Sequence, residues 1–135
     1  LAKQTNNENP VYYIQYAHAR ICRVLTQMTS QTMSFEKEIA EKNLDKLTTK
    51  HEVELIAKLS GYSALIKQSA HNKTIHTLAN YLHELAQLFH SYYGAETFLI
   101  ADKELRNARV LLIQAVKIIL KNGLSIIGVS APSKM

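Results

Sequence analysis

The stretch Asn9–Arg20, NPVYYIQYAHAR, decides how this chain is read. Asn followed by Pro is a helix start: the Asn side chain caps the first turn, and Pro occupies the first helical position, where its missing N–H is not needed. At ~100° per residue, Ile14, Ala17, Ile21, Val24, Leu25 and Met28 fall within one apolar stripe, and Tyr13, Tyr16, Arg20 and Arg23 run along its flank. The stretch contains no acid. A helix of this kind buries one side and offers π-surface and positive charge beside it. Tyrosine rings stack on unpaired bases and guanidinium groups contact phosphates or base edges, so the pattern points to RNA binding. Taken alone, the same tyrosines also fit a core edge with wet hydroxyls, or anchors for a partner protein in a helical interaction module. Charge placement favours RNA. The acids Glu36, Glu38, Glu41, Asp45, Glu52 and Glu54 lie in a separate segment, so an acidic face turned away from the basic one is expected.

Bulk composition agrees. A chain of 135 residues is one domain with room for a real core, and 47% hydrophobic content argues against disorder. Sixteen basic against eleven acidic side chains give +5 and a pI near 9.3, a balance that favours an anionic partner. The lone cysteine, Cys22, excludes an internal disulfide and suits a reducing, cytoplasmic setting. The opening LAKQTNNEN is polar and has no signal-peptide pattern, and a start on Leu suggests a piece of a longer protein. The most apolar run, Leu111–Leu120, is interrupted by Gln114 and Lys117 and is too short to span a bilayer, so no membrane partner is expected.

The organisation reads as all-α, a helical bundle. The first helix is expected to run to about Thr32, followed by a charged stretch, Glu36 to Asp45, as a short exposed helix or ordered loop. Thr49 and Glu52 have capping-box spacing and open a helix ending near Ser60, with Gly61 as a left-handed stop. Tyr62 to Ala70 reads as a short helix. Thr74 opens a long one ending at Tyr93 before Gly94, and Asp102 caps another that ends at Asn122-Gly123. A short apolar segment, Leu124 to Val129, then leads to Ala131-Pro132. No strand alternation or nucleotide-binding glycine loop is visible.

Other candidate chemistry is weak. His76, His83 and His90 recur every seven residues, but two helical turns separate neighbours by ~10 Å, too far for one ion. They are expected to line one packed seam, with no metal. Tyr92-Tyr93, at a helix end, fit core and binding roles equally. His18 and Cys22 share a helical face, so a thiol–imidazole contact is conceivable, although a small buried Cys explains the position more simply. No serine elbow, phosphate-cradling loop or carboxylate pair is present, so no catalytic residue is assigned.

Three segments together carry a family resemblance: NPVYYIQYAHAR, HTLANYLHELAQLFHSYY (His76 to Tyr93), and ARVLLIQAVKIILKNGLSIIGVSAPSKM (Ala108 to Met135). The chain resembles the C-terminal anticodon-binding domain of arginyl-tRNA synthetases, the helical type named for an Asp-Ala-Leu-Arg signature and found in class Ia aminoacyl-tRNA synthetases. The likeness covers nearly the whole chain, residues 1–135 reading as a single anticodon-binding domain. Cysteinyl and glycyl enzymes carry related domains, but the QYAHAR segment with an Ala-Pro-x-basic-Met end is specific to the arginine enzyme. The resemblance implies an anticodon-reading surface of Tyr13, Tyr16 and Arg20, completed by Tyr93 and Met135. Its implied partners are the anticodon loop of tRNA(Arg) and a catalytic domain in the same, monomeric polypeptide. It implies no cofactor here. ATP, Mg²⁺ and arginine would bind the catalytic domain, whose HIGH-type and KMSKS-type motifs this chain lacks, so arginine–tRNA ligase activity belongs to the parent. The signature is incomplete: Leu105-Arg106 stand at its end, but Lys103-Glu104 precede them. Ile75, Gly94 and Ser133 also depart from the usual Pro, polar and acidic residues, none within the proposed reading surface.

Overall fold

The computed structural model describes residues 9–72 and 75–135, with side chains described outside 69–74. All regular structure among the described residues is helical: α1 (Pro10–Ser30), α2 (Lys37–Lys42), α3 (Lys50–Ser60), α4 (Tyr62–Asn72), α5 (Ile75–Ala95) and α6 (Lys103–Ile126), with a 3₁₀ turn at Leu44–Lys46. The expected bundle is therefore observed. Its centre is the mutual packing of α1, α5 and α6, with α2 laid on α6, α3 on α5 and α6, and α4 against α5. The core joins Ile14, Ile21 and Val24 of α1 to Leu82, Leu85 and Phe89 of α5 and Ile113, Val116 and Leu120 of α6.

Local chemistry sets the helix starts. Asn9 Oδ1 accepts from the Val11 and Tyr12 amides at 2.9 and 3.3 Å. Thr49 and Glu52 close their capping box at 3.1 and 3.2 Å. Asp102 Oδ1 accepts from Glu104 and Leu105 at 3.1 and 3.3 Å. These satisfy amide donors that the first helical turn leaves without partners. Thr74 lies outside the described residues, and α5 is described from Ile75 to Ala95, two residues past Tyr93. Leu105 and Arg106 also serve the fold: Leu105 packs on the core, and Arg106 Nη1 donates to the Ile100 carbonyl at 2.8 Å, tying down the loop before α6.

α1 and α3 end close to Thr32 and Ser60 as expected, but the two glycines read as stops behave differently. Gly61 is not a left-handed stop: its φ of −87° and ψ of −7° are right-handed, and α4 follows at once. Gly123 does not end α6, which continues to Ile126. It is buried where α6 meets α5, and a Cβ there would lie 2.6 Å from Leu82 Cδ2. Close approach, not turning, explains that glycine. The true terminators are Thr32 and Gly128. At the end of α1, Thr32 N–H bonds to Thr29 O and Met33 N–H to Met28 O, both at 3.0 Å, with Thr32 at φ 58°. At the end of α6, Gly128 N–H bonds to Ser125 O at 3.1 Å and Val129 N–H to Leu124 O at 2.8 Å, with Gly128 at φ 83°. Both are Schellman closures, one using the residue the motif prefers and one using a β-branched residue that strains it.

One polar cluster sits inside the bundle. Glu52, whose side chain is 0% exposed, receives the Tyr92 hydroxyl and Arg109 Nε on the same oxygen, each at 2.7 Å. Arg109 also donates to the Thr97 carbonyl at 2.8 Å and pairs with Glu96 at 3.3 Å. Glu52 is thus removed from the acidic face to which the sequence assigned it, because the capping-box geometry points its second oxygen into the core. Burial is the largest single influence and raises the carboxyl. The Tyr92 hydroxyl, the Thr49 amide and the Arg109 guanidinium outweigh it and hold Glu52 below its ordinary range.

Candidate nucleic-acid interface

α1 places Tyr12, Tyr13, Tyr16 and Arg20 within three turns of one helix, because residues three and four apart share a face. All are half-buried on the flank of the apolar stripe, against the C-terminal half of α5. Tyr12 stacks on Tyr16 with centroids 6.4 Å apart and planes 12° from parallel. Tyr16 stacks in turn on His90, at 5.6 Å and 25°. Tyr13 lies between His83 and His90, with ring centroids 5.0 and 4.8 Å away. Arg20 crosses to α5: its guanidinium carbon is 4.0 Å from the Tyr93 ring centroid and 4.9 Å from that of Tyr16. Arg20 Nη1 meets His90 Nδ1 at 3.0 Å and Nη2 donates to the Tyr16 hydroxyl at 3.3 Å.

Four of the five expected residues are therefore assembled: Tyr13, Tyr16, Arg20 and Tyr93. Met135 is not in contact with them. It is 41% exposed and lies on the next side of α1, bordering a hollow of about 390 Å³ with Ala19, Cys22, Arg23, Thr26, Ser133 and Lys134. The tail reaches that side because Gln15 Nε2 donates to the Ser130 carbonyl and His18 Nδ1 to the Pro132 carbonyl, both at 2.9 Å. A second hollow, about 370 Å³, opens beside Tyr93 between Val24, Gln27, Gln31 and Phe98.

Several expectations are corrected here. The histidines do not share one seam: His83 and His90 pack against Tyr13 with tilted rings, while His76 is exposed. Tyr92 and Tyr93, read as equivalent, part company, since Tyr92 is 0% exposed on Glu52 whereas Tyr93 stays half-open under Arg20. The His18–Cys22 contact exists at 3.8 Å, but His18 Nδ1 faces the Pro132 carbonyl, which only accepts. That nitrogen therefore carries the proton and cannot take one from the thiol. Sequence reading missed Tyr12 and His90. Tyr12 was findable from its spacing of four to Tyr16. His90 required knowing that α5 lies against this flank of α1.

Electrostatics suits a neutral aromatic floor under one cation. Arg20 has no carboxylate partner among the described residues. Burial pushes the Tyr13 hydroxyl up, against a smaller opposing effect of Arg20. Burial first, and then the Arg20 charge, hold His90 down to about 4, against a weaker upward influence of the Tyr13 backbone. His90 is thus a neutral ring at pH 7. Arg23, next to this flank on α1, is exposed, while Lys117 (half-exposed) and Lys121 (exposed) lie towards His18 on the other flank of α1. Nothing in the arrangement resembles a nucleophile–base pair. It can stack planar rings, donate hydrogen bonds from Arg20, and attract phosphates.

The chain belongs to the DALR anticodon binding domain family, whose profile matches residues 14–135. It is 53% identical over 135 residues to an arginine–tRNA ligase of Coxiella burnetii, matching all of this chain and 23% of that protein. It is 47% identical to one of Legionella pneumophila, with the same shares. Thermus thermophilus arginyl-tRNA synthetase superposes with a TM-score of 0.77 at 29% identity, covering 91% of this chain and 21% of that one. The chain thus spans about a quarter of the length of the curated relatives it matches. Among the described residues no helix is long and apolar enough to cross a membrane.

Proposed function

We propose that residues 1–135 are the anticodon-reading domain of an arginine–tRNA ligase and bind the anticodon loop of tRNA(Arg) through Tyr13, Tyr16, Arg20 and Tyr93, with Met135 on the adjoining side of α1. The observation that carries this reading is the continuous run of rings from Tyr12 through Tyr16 to His90, crossed by an arginine that no carboxylate neutralises among the described residues. Arginine codons all have G in the middle, so their tRNAs all have C in the middle of the anticodon. An extruded cytosine stacked on a tyrosine gains about 1–3 kcal/mol, and Arg20 supplies donors to the cytosine O2 and N3 acceptors. Arg23, Lys117 and Lys121 add salt-dependent attraction for the loop phosphates. Adenylate chemistry, with ATP and Mg²⁺, belongs to a catalytic domain elsewhere in a monomeric, cytoplasmic parent, where this domain selects tRNA.

The test is binding to a tRNA(Arg) anticodon stem-loop and to the same loop with its middle C changed to U, at one salt concentration. Preference for C that is lost in Arg20→Ala is the expected result. Equal binding to both loops would reduce the surface to nonspecific attraction. No binding by a folded chain would return the tyrosines to a protein-interaction role.

A further inference from the structure

Arg20 is held unusually firmly for an arginine offered to a ligand. Its guanidinium lies 4.0 Å from the centroid of Tyr93 and 4.9 Å from that of Tyr16, and Nη2 is tied to the Tyr16 hydroxyl. The remaining tie is to His90, and its chemistry is unambiguous. Guanidinium nitrogens only donate, so His90 Nδ1, 3.0 Å from Arg20 Nη1, must be the bare, accepting nitrogen, and the ring proton sits on Nε2. His90 Nε2 and Arg20 Nε are both buried without a hydrogen-bond partner. The pair is thus joined through one bond alone, while each Nη group keeps a second hydrogen. The charged and titratable neighbours of His90 are Arg20, Tyr13 and Tyr16 on α1 and, on its own helix, His83 and Tyr93 by way of Tyr13 and Arg20.

We infer that His90 is a positioning residue for base discrimination: by accepting from Nη1 it fixes the rotation of the Arg20 guanidinium, so that the free Nη hydrogens point in one direction before RNA arrives. Resting on the proposed function above, the inference assigns a role to a residue that itself need not touch RNA. An arginine left free would have to be ordered on binding, and its hydrogen bonds would fit C and U less selectively, since both bases present an O2 acceptor and differ at N3 and position 4. Holding the fork in advance removes that ordering cost and gives the hydrogen bonds a direction.

His90→Phe keeps the stack on Tyr16 and the tilted contact with Tyr13 but removes the acceptor. His90→Asn places an amide oxygen near the position of Nδ1 and restores it. Binding of each chain to the C and U stem-loops gives four comparisons, with helical content checked by circular dichroism. The Phe variant is expected to lose about tenfold in affinity for the C loop while changing little for the U loop, and the Asn variant to recover most of that loss. In the RNA-free wild-type chain, ¹⁵N imidazole shifts should report His90 as the Nε2–H tautomer. A Phe variant with unchanged C-over-U preference overturns the inference, as does an Asn variant as weak as Phe. An Nδ1–H tautomer overturns it without any binding measurement, which covers a Phe variant that fails to fold. Should the wild-type chain bind neither loop, the anticodon reading has failed and this inference falls with it.

Discussion

Glu52→Gln is the sharpest test of how the bundle is held. The carboxylate is fully occupied: one oxygen takes the Thr49 amide at 3.1 Å, and the other takes both Tyr92 Oη and Arg109 Nε at 2.7 Å. A glutamine of the same shape cannot satisfy all three donors. With its NH₂ turned inward, Tyr92 can rotate its hydroxyl and accept, but Arg109 Nε–H then faces another donor. Turned the other way, the NH₂ faces the Thr49 amide. Each orientation also leaves the Arg109 guanidinium, 8% exposed, short of its main counter-charge, with only the partly exposed Glu96 beside it. Breaking a buried pair in this manner costs about 3–5 kcal/mol. Tyr92→Phe removes a single donor from a carboxylate that keeps its other partners, at about 1.5 kcal/mol. In urea unfolding followed by circular dichroism, with a slope of about 2 kcal/mol per molar, the midpoint should fall by about 2 M for Gln and by less than about 1 M for Phe. Adding Arg109→Met to Glu52→Gln removes the donor–donor conflict, so the double variant should be at least about 2 kcal/mol more stable than the sum of the singles. If the cycle is additive within about 0.5 kcal/mol, or Gln costs no more than Phe, the cluster is not the coupled unit its geometry indicates.

Acid and a helix end supply two further tests. His90 is held to about 4 when folded, against about 6.5 when unfolded. Below pH 6.5 the unfolded chain therefore binds the extra proton, and stability falls as pH drops towards 4, by about 2–3 kcal/mol near pH 4. His90→Asn should flatten that part of a urea-midpoint profile, and superimposable profiles for the two chains would exclude the titration of His90 as its cause. Thr32→Gly should raise the unfolding midpoint by about 0.5–1 kcal/mol equivalent, because glycine adopts a φ of 58° without steric cost. A loss of stability would mean that the side chain contributes more than its backbone costs.

What was legible in the sequence was local. Asn9, Thr49 and Asp102 act within one turn of themselves, so their caps can be read from neighbouring letters, and the stripe and flank of α1 follow from helical spacing alone. Errors gathered where a distant partner overrules local preference. Gly61 does end α3, but in a right-handed conformation because α4 follows at once, and Gly123 lies inside α6 for close approach to Leu82 rather than as a stop. Glu52 looked solvated, but its partners Tyr92 and Arg109 stand 40 and 57 positions away. The candidate site divides in the same manner. Its α1 members were visible as a face, whereas the pairing of Arg20 with His90 spans 70 positions and depends on how two helices meet.

The contact of Gly123 with Leu82 makes two distant positions evolve as one. A side chain at 123 would force Leu82 to move or to be replaced by something smaller, so substitutions there should tend to appear in pairs among descendants of this sequence. The helix carrying Leu82 also carries Tyr93, eleven residues or about 16 Å further along. Drift at that crossing would slide Tyr93 beneath Arg20, so a substitution remote from the aromatic floor would still alter it.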